Sequence, residues 1–375
     1  MKKEGACPRI AIFHNYMDNI GGAEMVVLTL ARELGADVYS PAVNQDNIKK
    51  MGFDIEVTVV GDGTLPLNAP ARQQSALRAL RRLDISKQYD FFIIAGDWAI
   101  SAAVNHKPNL WYVHSPIREI WDLYEYAREH IVPEGLIPNL NRYLFDVWVH
   151  YNRFLNRMYV HHAERIICNS ENTRQRVKKY LKRDGAVIYP PVDTEKFYFK
   201  RTGEYWLSVN RLLKHKNVDI QVNAFKELPA EKLVIVGTYE KAEHFTEYKK
   251  YIEGIKPDNV TLLSHVDFDT LRELYANCKG FITTARDEDF GLTAVEAMAS
   301  GKPVIAPNEG GYKETILDGM TGKLIDGMDA NKLAAAVHEI SKNPLRYKDD
   351  SMRRARTFDT QVFVEGIKRE IERQI

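Results

Sequence analysis

Residues 280–306 read GFITTARDEDFGLTAVEAMASGKPVIA. A short apolar run at 280–283 leads through a polar turn into a helical pattern at 293–300, and a second apolar run follows at 303–306. Short runs that are apolar throughout are typical of parallel strands, because helices cover both faces of such a sheet. This stretch therefore predicts a strand–helix–strand unit of a parallel α/β sheet.

The same alternation extends over both halves of the chain. Predicted strands lie at 10–13, 91–94, 110–113 and 165–168 in the first half, and at 205–209, 232–237, 260–263, 280–283 and 303–306 in the second. Predicted helices at 217–227, 269–277 and 293–300 separate strands of the second half. Each half is therefore predicted to be a Rossmann-like, doubly wound domain of the α/β class.

A domain boundary is predicted near residue 190. The chain has 375 residues, which exceeds the ~100–200 of a typical single domain. Pro190 and Pro191 cannot continue a helix or a central strand. We therefore expect a first domain at 1–190 and a second at 191–355. In the remaining segment, 356–375, an amphipathic helix is predicted from its apolar residues Phe358, Val362, Ile367 and Ile371.

Composition excludes several classes of function. The net charge of +1, from 52 Lys and Arg against 51 Asp and Glu, provides no global field that would recruit nucleic acid. Three widely separated cysteines, Cys7, Cys168 and Cys278, predict reduced thiols in the cytoplasm. The N-terminal sequence does not resemble a signal peptide, and no apolar stretch approaches the ~20 residues of a membrane span. Any membrane attachment is therefore expected to be peripheral, at the inner face.

The turn between 284 and 293 is the sharpest candidate site. Unpaired amides at Gly291, Leu292 and Thr293 would form a helix start that favours phosphate. Glu288 and Glu296 flank that start, and their carboxylates can accept hydrogen bonds from sugar hydroxyls. Two alternatives are an acid/base pair of a glycosidase and a pair of surface charges at a helix start.

A basic loop follows the first strand of the second half. Arg211 and Lys216, within residues 210–217, can converge on one phosphate group, Arg as a planar fork and Lys as a point charge. The alternative is a solvated basic loop. Its position at the same predicted sheet edge as Glu288 favours a shared anion site.

Two features of the first half are weaker candidates. Gly21 and Gly22 stand at a strand-to-helix turn, where glycine allows a ligand to approach the backbone, or simply makes a tight connection. His114 follows a predicted strand at the edge where α/β sheets present ligands, although a lone histidine at such a place is more often structural.

Residues 142–183 combine aromatic and basic side chains, with ten Arg or Lys against three Asp or Glu. Such a helical stretch suits contact with an anionic bilayer or a lipid-phosphate acceptor. The alternative is a core helix with a solvated basic face. We assign Trp148, together with Arg118 and Trp121 of the preceding segment, to the acceptor or membrane side.

In their order, these loops resemble retaining glycosyltransferase family 4. The most specific match is Glu288-x7-Glu296 within EDFGLTAVEAMASGKPVIA, continued by GGYKET at 310–315. Supporting matches are GGAE at 21–24, Arg211 with Lys216, and Asn169-Ser170 followed by YPPVD at 189–193. The resemblance implies a GT-B fold, in which two Rossmann-like domains face each other across a cleft and a C-terminal helix crosses back to complete the first domain.

The family resemblance also implies roles for the candidate residues. Arg211 and Lys216, next to Asn210, would neutralise the donor diphosphate, and Glu296 would bind the ribose. The donor sugar would be held by Glu288 and the amides of Phe290 and Gly291. Gly22, next to Gly21, would approach the phosphates, and His114 resembles the histidine near the sugar.

Residues 114–124, HSPIREIWDLY, further resemble a mannosyltransferase branch that uses GDP-mannose to build surface polysaccharides or lipid-linked glycans. The expected partners are therefore a nucleotide-sugar donor and a glycan or lipid-linked acceptor. Because no Asp-x-Asp pair stands in a suitable loop, we expect catalysis without a metal ion or other cofactor.

Three other functions remain open from the sequence. A UDP-sugar donor carrying glucose, GlcNAc or galactose would use the same diphosphate contacts. A phosphorylase-like or epimerase enzyme would share the two-domain layout. A non-catalytic sugar-nucleotide-binding protein would retain the pocket without transfer.

Overall fold

A computed structural model describes residues 8–66, 69–130, 139–238, 243–264 and 266–375. Its chain divides into two compact units, residues 1–189 with 364–375 and residues 190–363. The structure confirms a Rossmann-like, doubly wound sheet in each unit. Cys7, one of the three expected thiols, lies outside the described residues, whereas Cys168 and Cys278 are free and buried.

The first unit contains a seven-stranded parallel sheet. Its strands are β1 (Ile10–Phe13), β2 (Asp37–Ser40), β3 (Val57–Val59), β4 (Phe91–Ile94), β5 (Asn109–Val113), β6 (Arg165–Cys168) and β7 (Ala186–Val187). They lie in the order β3-β2-β1-β4-β5-β6-β7. The central strands β1, β4 and β5 are buried along their whole length, as expected for strands that helices cover on both faces.

Helices of the first unit connect and cover these strands. They are α1 (Gly22–Leu34), α2 (Gln45–Lys50), α3 (Ala71–Arg82), α4 (Tyr124–His130), α5 (Leu140–Val160) and α6 (Glu171–Arg176). Short 3₁₀ segments at Trp98–Val104 and Arg118–Ile120 and a π-helical turn at Val177–Leu181 complete the connections.

The second unit contains a six-stranded parallel sheet. Its strands are β8 (Tyr205–Arg211), β9 (Lys232–Thr238), β10 (Val260–Leu263), β11 (Gly280–Ile282), β12 (Val304–Pro307) and β13 (Gly322–Ile325), in the order β10-β9-β8-β11-β12-β13. Its helices are α7 (Val218–Lys226), α8 (Glu243–Ile255), α9 (Phe268–Asn277), α10 (Leu292–Ala299), α11 (Tyr312–Thr315), α12 (Ala330–Ser341) and α13 (Lys348–Arg356). Further 3₁₀ turns lie at Thr194–Lys196, Lys214–Lys216 and Pro344–Tyr347.

The last helix, α14 (Thr360–Glu372), begins in the second unit, and its part from Val364 onward belongs to the first. Arg165 on β6 pairs with Glu370 at 2.5 Å within the first unit. The predicted apolar face is correct for Phe358, Ile367 and Ile371, which are buried, but wrong for Val362, which is 51% exposed. Phe363 is buried instead, because it lies one turn before Ile367 on the same helix face.

Candidate functional site

The carboxyl ends of β8 and β11 define the candidate site of the second unit. These two strands are neighbours, and the strand order reverses between them. In open α/β sheets, ligands bind at this switch point, outside the carboxyl ends of the strands. The chain leaves β8 at Arg211 and β11 at Ile282, so both predicted loops start at this edge.

Lys216 and Glu288 come together at this edge. The ammonium nitrogen of Lys216 lies 2.5 Å from Oε2 of Glu288, although 72 residues separate them in sequence. Both side chains are largely buried, with 14% and 23% of their surface exposed. A cation and a carboxylate are therefore held side by side beside the start of α10.

Thr284 holds the two loops in place. Its hydroxyl oxygen lies 2.9 Å from the carbonyl oxygens of both Lys216 and Asn217, and it accepts a hydrogen bond from Nε2 of Gln221 at 2.9 Å. Asn217 in turn donates from Nδ2 to the carbonyl of Thr284. The left-handed backbone of Asn217, with φ of 50°, starts α7 immediately after Lys216. These contacts fix the backbone that carries Lys216.

The start of α10 is closely packed around glycines. Gly291 caps the helix with φ of 94°, and a Cβ added there would lie 2.6 Å from Cε1 of Tyr312. Gly311 donates its amide hydrogen to the carbonyl of Glu288, and a Cβ at Gly310 would lie 2.6 Å from the same oxygen. The GG turn at 310–311 therefore supports the backbone of the Glu288 loop.

The first amides of α10 follow this cap. Because Leu292 and Thr293 stand in the first turn of the helix, their amides have no preceding helical carbonyl to bind. Phe290, just before the cap, is buried and packs edge-on against Phe358. The side chain of Phe290 is thus part of the core, and only its backbone is suited to the predicted sugar contact.

Glu296 lies in the second turn of α10. Its Oε2 accepts a hydrogen bond of 2.8 Å from the hydroxyl of Tyr275, which also lies 3.4 Å from the carbonyl of Thr293. Burial raises the pKa of Glu296, whereas the hydrogen bond from Tyr275 opposes that rise. Tyr275 was not predicted from the sequence, because it lies on α9, and nothing local links it to Glu296.

Arg211 and Asn210, the other predicted residues at the end of β8, lie in different environments. Arg211 is exposed at the end of β8, where a guanidinium can reach a ligand. Asn210 is buried, and its Nδ2 donates to Oγ of Ser208 at 2.6 Å. The side chain of Asn210 is therefore engaged within the sheet, which restricts its predicted donor contact to the backbone.

Gly21 and Gly22 stand at the carboxyl edge of the first sheet. Gly22 is the first residue of α1, and a Cβ at Gly21 would lie 2.5 Å from Oε2 of Glu24. The other carboxylate oxygen of Glu24 lies 3.9 Å from Nε2 of His14. A carboxylate of the chain thus occupies the turn in which the sequence predicts a phosphate contact.

His114 follows β5 at the same edge. Its ring stands edge-on to that of His14, with 6.1 Å between the centroids. Burial, assisted by His14, lowers the pKa of His114 to about 3, so its imidazole is neutral at physiological pH. Within the described residues, its Nε2 is buried without a hydrogen-bond partner. A neutral ring can offer hydrogen bonds but cannot serve as a cationic acid here.

A carboxyl pair at this edge was missed by the sequence analysis. Asp97 follows β4 and accepts hydrogen bonds from Nδ2 of Asn15 at 2.6 Å and from the amide of Trp98 at 2.8 Å. Burial raises the pKa of Asp97. Burial and the nearby Asp97 raise the pKa of Glu119 to about 7. The position of Asp97 directly after a strand is the signal that could have identified it.

Of the three residues assigned to the acceptor or membrane side, Trp121 is buried, and Arg118 and Trp148 are half-buried. Trp121 is 8% exposed and donates from Nε1 to Asn156 at 3.0 Å. Trp148 packs against the Trp98 ring at 5.8 Å. Arg118 pairs with Asp122 at 2.8 Å. The interpretation of Trp121 as a surface contact is wrong, because its ring belongs to the core of the first unit. Trp148 packs half-buried against that core, and its assignment, like that of Arg118, stays a prediction.

The described residues contain neither a membrane-spanning helix nor a cluster of metal ligands. Over the described ranges, no helix combines the length and the apolar character that a bilayer crossing requires. In the same part of the chain, no three His, Cys, Asp or Glu side chains are grouped as a metal site requires. Independence of metal ions stays a prediction.

Sequence comparisons cover nearly the whole chain. The profile of Glycosyltransferase Family 4 matches residues 20–196, and that of Glycosyl transferases group 1 matches residues 192–357. An uncharacterized glycosyltransferase of Methanocaldococcus jannaschii is 31% identical over 48% of this chain and 50% of its own length. Alpha-1,3/1,6-mannosyltransferase ALG2 of Dictyostelium discoideum is 28% identical over 50% of this chain and 54% of its own length. ALG2 of Candida glabrata is 26% identical over 96% of this chain and 92% of its own length.

Solved structures share the fold over nearly the whole chain. Anabaena HepE, in complex with UDP and glucose, superposes with a TM-score of 0.76 at 16% identity, over 97% of this chain and 99% of that one. Sucrose-phosphate synthase from Thermosynechococcus elongatus superposes with a TM-score of 0.75 at 17% identity, over 97% of this chain and 98% of that one. At such identities, the likeness shows the fold alone.

Together, the two doubly wound sheets and the superposed structures define the GT-B fold, and two glycosyltransferase profiles match residues 20–357. The chain belongs to glycosyltransferase family 4 and is similar in sequence to mannosyltransferases. It spans about half the length of the first two relatives and 92% of the third.

Proposed function

We propose that this chain is a retaining glycosyltransferase that moves mannose from GDP-mannose to a glycan or lipid-linked acceptor without a metal ion. The observation that carries the proposal is the contact between Lys216 and Glu288 beside the glycine-capped start of α10. A cation, helix-start amides and a carboxylate are the groups needed to hold a diphosphate and an adjoining sugar.

In this proposal, Lys216 and Arg211 bind the donor diphosphate. Negative charge develops on the leaving phosphate as the sugar becomes oxocarbenium-like, and fixed cations and amides stabilise that charge. The amides of Leu292 and Thr293 contribute at the start of α10. These groups supply the charge stabilisation that a metal ion provides elsewhere.

The two glutamates bind opposite ends of the donor. Glu296, held by Tyr275, accepts hydrogen bonds from the ribose hydroxyls. Glu288 and the amides of Phe290 and Gly291 hold the sugar. The acceptor hydroxyl attacks from the face that the diphosphate leaves, and its proton passes to the departing phosphate. The anomeric configuration is then retained without a covalent intermediate on the enzyme.

The identity of the donor, with mannose as its sugar and guanine as its base, rests on different observations from those that support sugar transfer. ALG2 relatives are named as mannosyltransferases, whereas HepE was solved with UDP and with UDP-glucose. A UDP-sugar is therefore the second candidate donor. Nucleic acid is not among the proposed partners, given the net charge of +1.

A panel of nucleotide sugars tests the proposal. We expect GDP-mannose to give the largest thermal stabilisation and slow hydrolysis in the presence of a chelator, and Lys216→Ala to lose both. Lys226→Ala, which removes an exposed lysine at the end of α7, is the matched control. Greater stabilisation and faster hydrolysis with a UDP-sugar would identify that compound as the donor instead of GDP-mannose. Binding without hydrolysis or transfer would identify a non-catalytic binder, and activity only after metal addition would contradict metal independence.

A further inference from the structure

The helix α5 carries an exposed apolar stripe that the core of the first unit does not use. Its members are large apolar side chains between 38% and 64% exposed: Leu140, Tyr143, Leu144, Val147, Tyr151, Phe154 and Met158. Successive helix residues are rotated by about 100°, so these positions fall within a sector of roughly 100° along about 27 Å of the helix. The stripe is therefore continuous.

The opposite face of α5 packs against the core. Val149 and Val160 are buried there, and Leu155 and Tyr159 are buried between that face and the stripe. An ordinary surface helix has a single apolar face, which it turns toward the core. Because α5 has a second apolar face that is exposed, this stripe indicates an interaction surface.

Basic side chains border the stripe. Arg157 is exposed on α5, and its Nε donates to the carbonyl of Tyr180 at 3.0 Å, which joins the segment after α6 to this helix. Lys179 and Lys182 on that segment are exposed. The acidic residue of α5, Asp146, is bound by Arg128 at 2.9 Å. The border of the stripe is thus positively charged.

We propose that the α5 stripe and its basic border dock the protein on an anionic phospholipid bilayer, with the helix lying in the plane of the interface. Tyrosine and phenylalanine suit this boundary because their rings enter the acyl region and the tyrosine hydroxyls remain at the headgroups. Lys179, Lys182 and Arg157 then face anionic headgroups.

Charge favours a bilayer over a second copy of the chain. Two stripes packed together would bring like-charged borders close to each other. An anionic surface instead pairs every border cation, with a contribution of about 1 kcal/mol for each Lys or Arg near the surface. This inference uses a different surface from the donor site and does not rest on the proposed function.

Sedimentation of the full chain with vesicles tests the proposal. We expect binding to vesicles of phosphatidylcholine with about one third phosphatidylglycerol, and weak binding to pure phosphatidylcholine. Tyr151→Ser with Phe154→Ser should reduce the partition coefficient at least about tenfold, since two large rings leave the interface. Met320→Ser with Leu345→Ser, two exposed apolar residues of the second unit, is the matched control and should bind like the wild type.

A charge-reversal variant measures the electrostatic contribution to vesicle binding separately. Lys179→Glu with Lys182→Glu should reduce binding to anionic vesicles at least about twentyfold, with little effect on binding to neutral vesicles. Unchanged melting temperatures show that these variants fold. The proposal is overturned if the stripe variant binds vesicles like the wild type, or if the wild type forms a dimer that the stripe variant abolishes and does not bind vesicles. Hydrolysis of GDP-mannose in solution, measured separately, reports on the proposed function alone.

Discussion

The ammonium group of Lys216 lies 2.5 Å from the carboxylate of Glu288, and both side chains are largely buried. A largely buried ion pair contributes little net stability, because desolvation of both charges offsets their attraction. Such a contact at a ligand-binding edge instead keeps a cation in position until an anionic ligand binds. Lys216 must then be shared between Glu288 and the incoming phosphate.

This relationship predicts opposite effects of Glu288→Gln on binding and on turnover. Removing the carboxylate charge frees Lys216 and removes a repulsion from an anionic ligand. Binding of GDP should therefore become tighter, by about fivefold for roughly 1 kcal/mol. Transfer should fall by about two orders of magnitude, because a contact to the reacting sugar is lost. Calorimetry with GDP and a transfer assay measure the two effects.

Glu227→Gln is the control for this prediction, because Glu227 is exposed at the end of α7. It should leave both quantities unchanged. Weaker GDP binding in Glu288→Gln would indicate that the carboxylate orients Lys216 for the phosphate rather than competing with it.

Local patterns in the sequence predicted the central parts of the fold. The runs at 10–13 and 91–94 coincide with β1 and β4, because buried parallel strands are apolar throughout. The runs at 165–168 and 260–263, which each contain one polar residue, coincide with β6 and β10. Strands β2, β3, β7 and β13 were not predicted. Each is short and partly exposed, so its sequence lacks a continuous apolar run.

For the candidate site, the sequence could indicate residue types at strand ends but not their tertiary partners. Lys216 and Glu288 were both singled out, although their direct contact depends on the packing of two loops around Thr284. Tyr275 was missed because its contact with Glu296 joins two helices and leaves no local signal. Asp97 was missed although it directly follows β4, because its partner Asn15 is distant in sequence. Trp121 was misplaced, since aromatic residues suit a membrane surface and a core equally well.

Gly291→Ala is predicted to destabilise the second unit. Its φ of 94° is unfavourable for alanine, and the new Cβ would lie 2.6 Å from the ring of Tyr312. We expect a loss of about 2–3 kcal/mol in the free energy of unfolding, from backbone strain and overpacking together. Denaturant titration measures this loss, and donor binding should weaken in parallel because the start of α10 shifts.

Gly254→Ala in α8 provides the matched control for Gly291→Ala. No atom lies within 4 Å of a Cβ added at Gly254, which stands on an exposed helix face. Alanine should therefore stabilise the helix by about 0.5–1 kcal/mol. Equal stability of the two variants would show that the cap of α10 adapts without strain.

Tyr275→Phe should shift the pH dependence of donor binding. In the proposed site, Glu296 must be ionised to accept ribose hydroxyls, so binding is lost as pH falls through its pKa. The Tyr275 hydroxyl stabilises that carboxylate, and its removal raises the pKa of Glu296 further. Binding should then be lost at a higher pH than in the wild type, and affinity near neutral pH should fall about fivefold.

Tyr205→Phe is the control, because it removes a comparable hydroxyl bond, to the carbonyl of Leu274 at 2.8 Å, with no contact to Glu296. It should lower stability slightly and leave the pH profile of binding unchanged. The same shift in both variants would contradict a specific role for Tyr275.

Glu119→Gln should stabilise the protein above neutral pH and leave its stability in acid nearly unchanged. The pKa of Glu119 is raised from 4.5 to about 7 in the folded state, so the folded protein binds more protons than the unfolded chain between these values. The free energy of unfolding therefore falls as pH rises through this window. Above the window, the full stability cost of ionising Glu119 in the folded protein is present. Glutamine cannot ionise, which removes a cost of about 3 kcal/mol near pH 8. Urea unfolding near pH 4 and pH 8 measures the difference, with exposed Glu365→Gln as the control. An equal effect of Glu119→Gln at both pH values would show that Glu119 ionises normally beside Asp97.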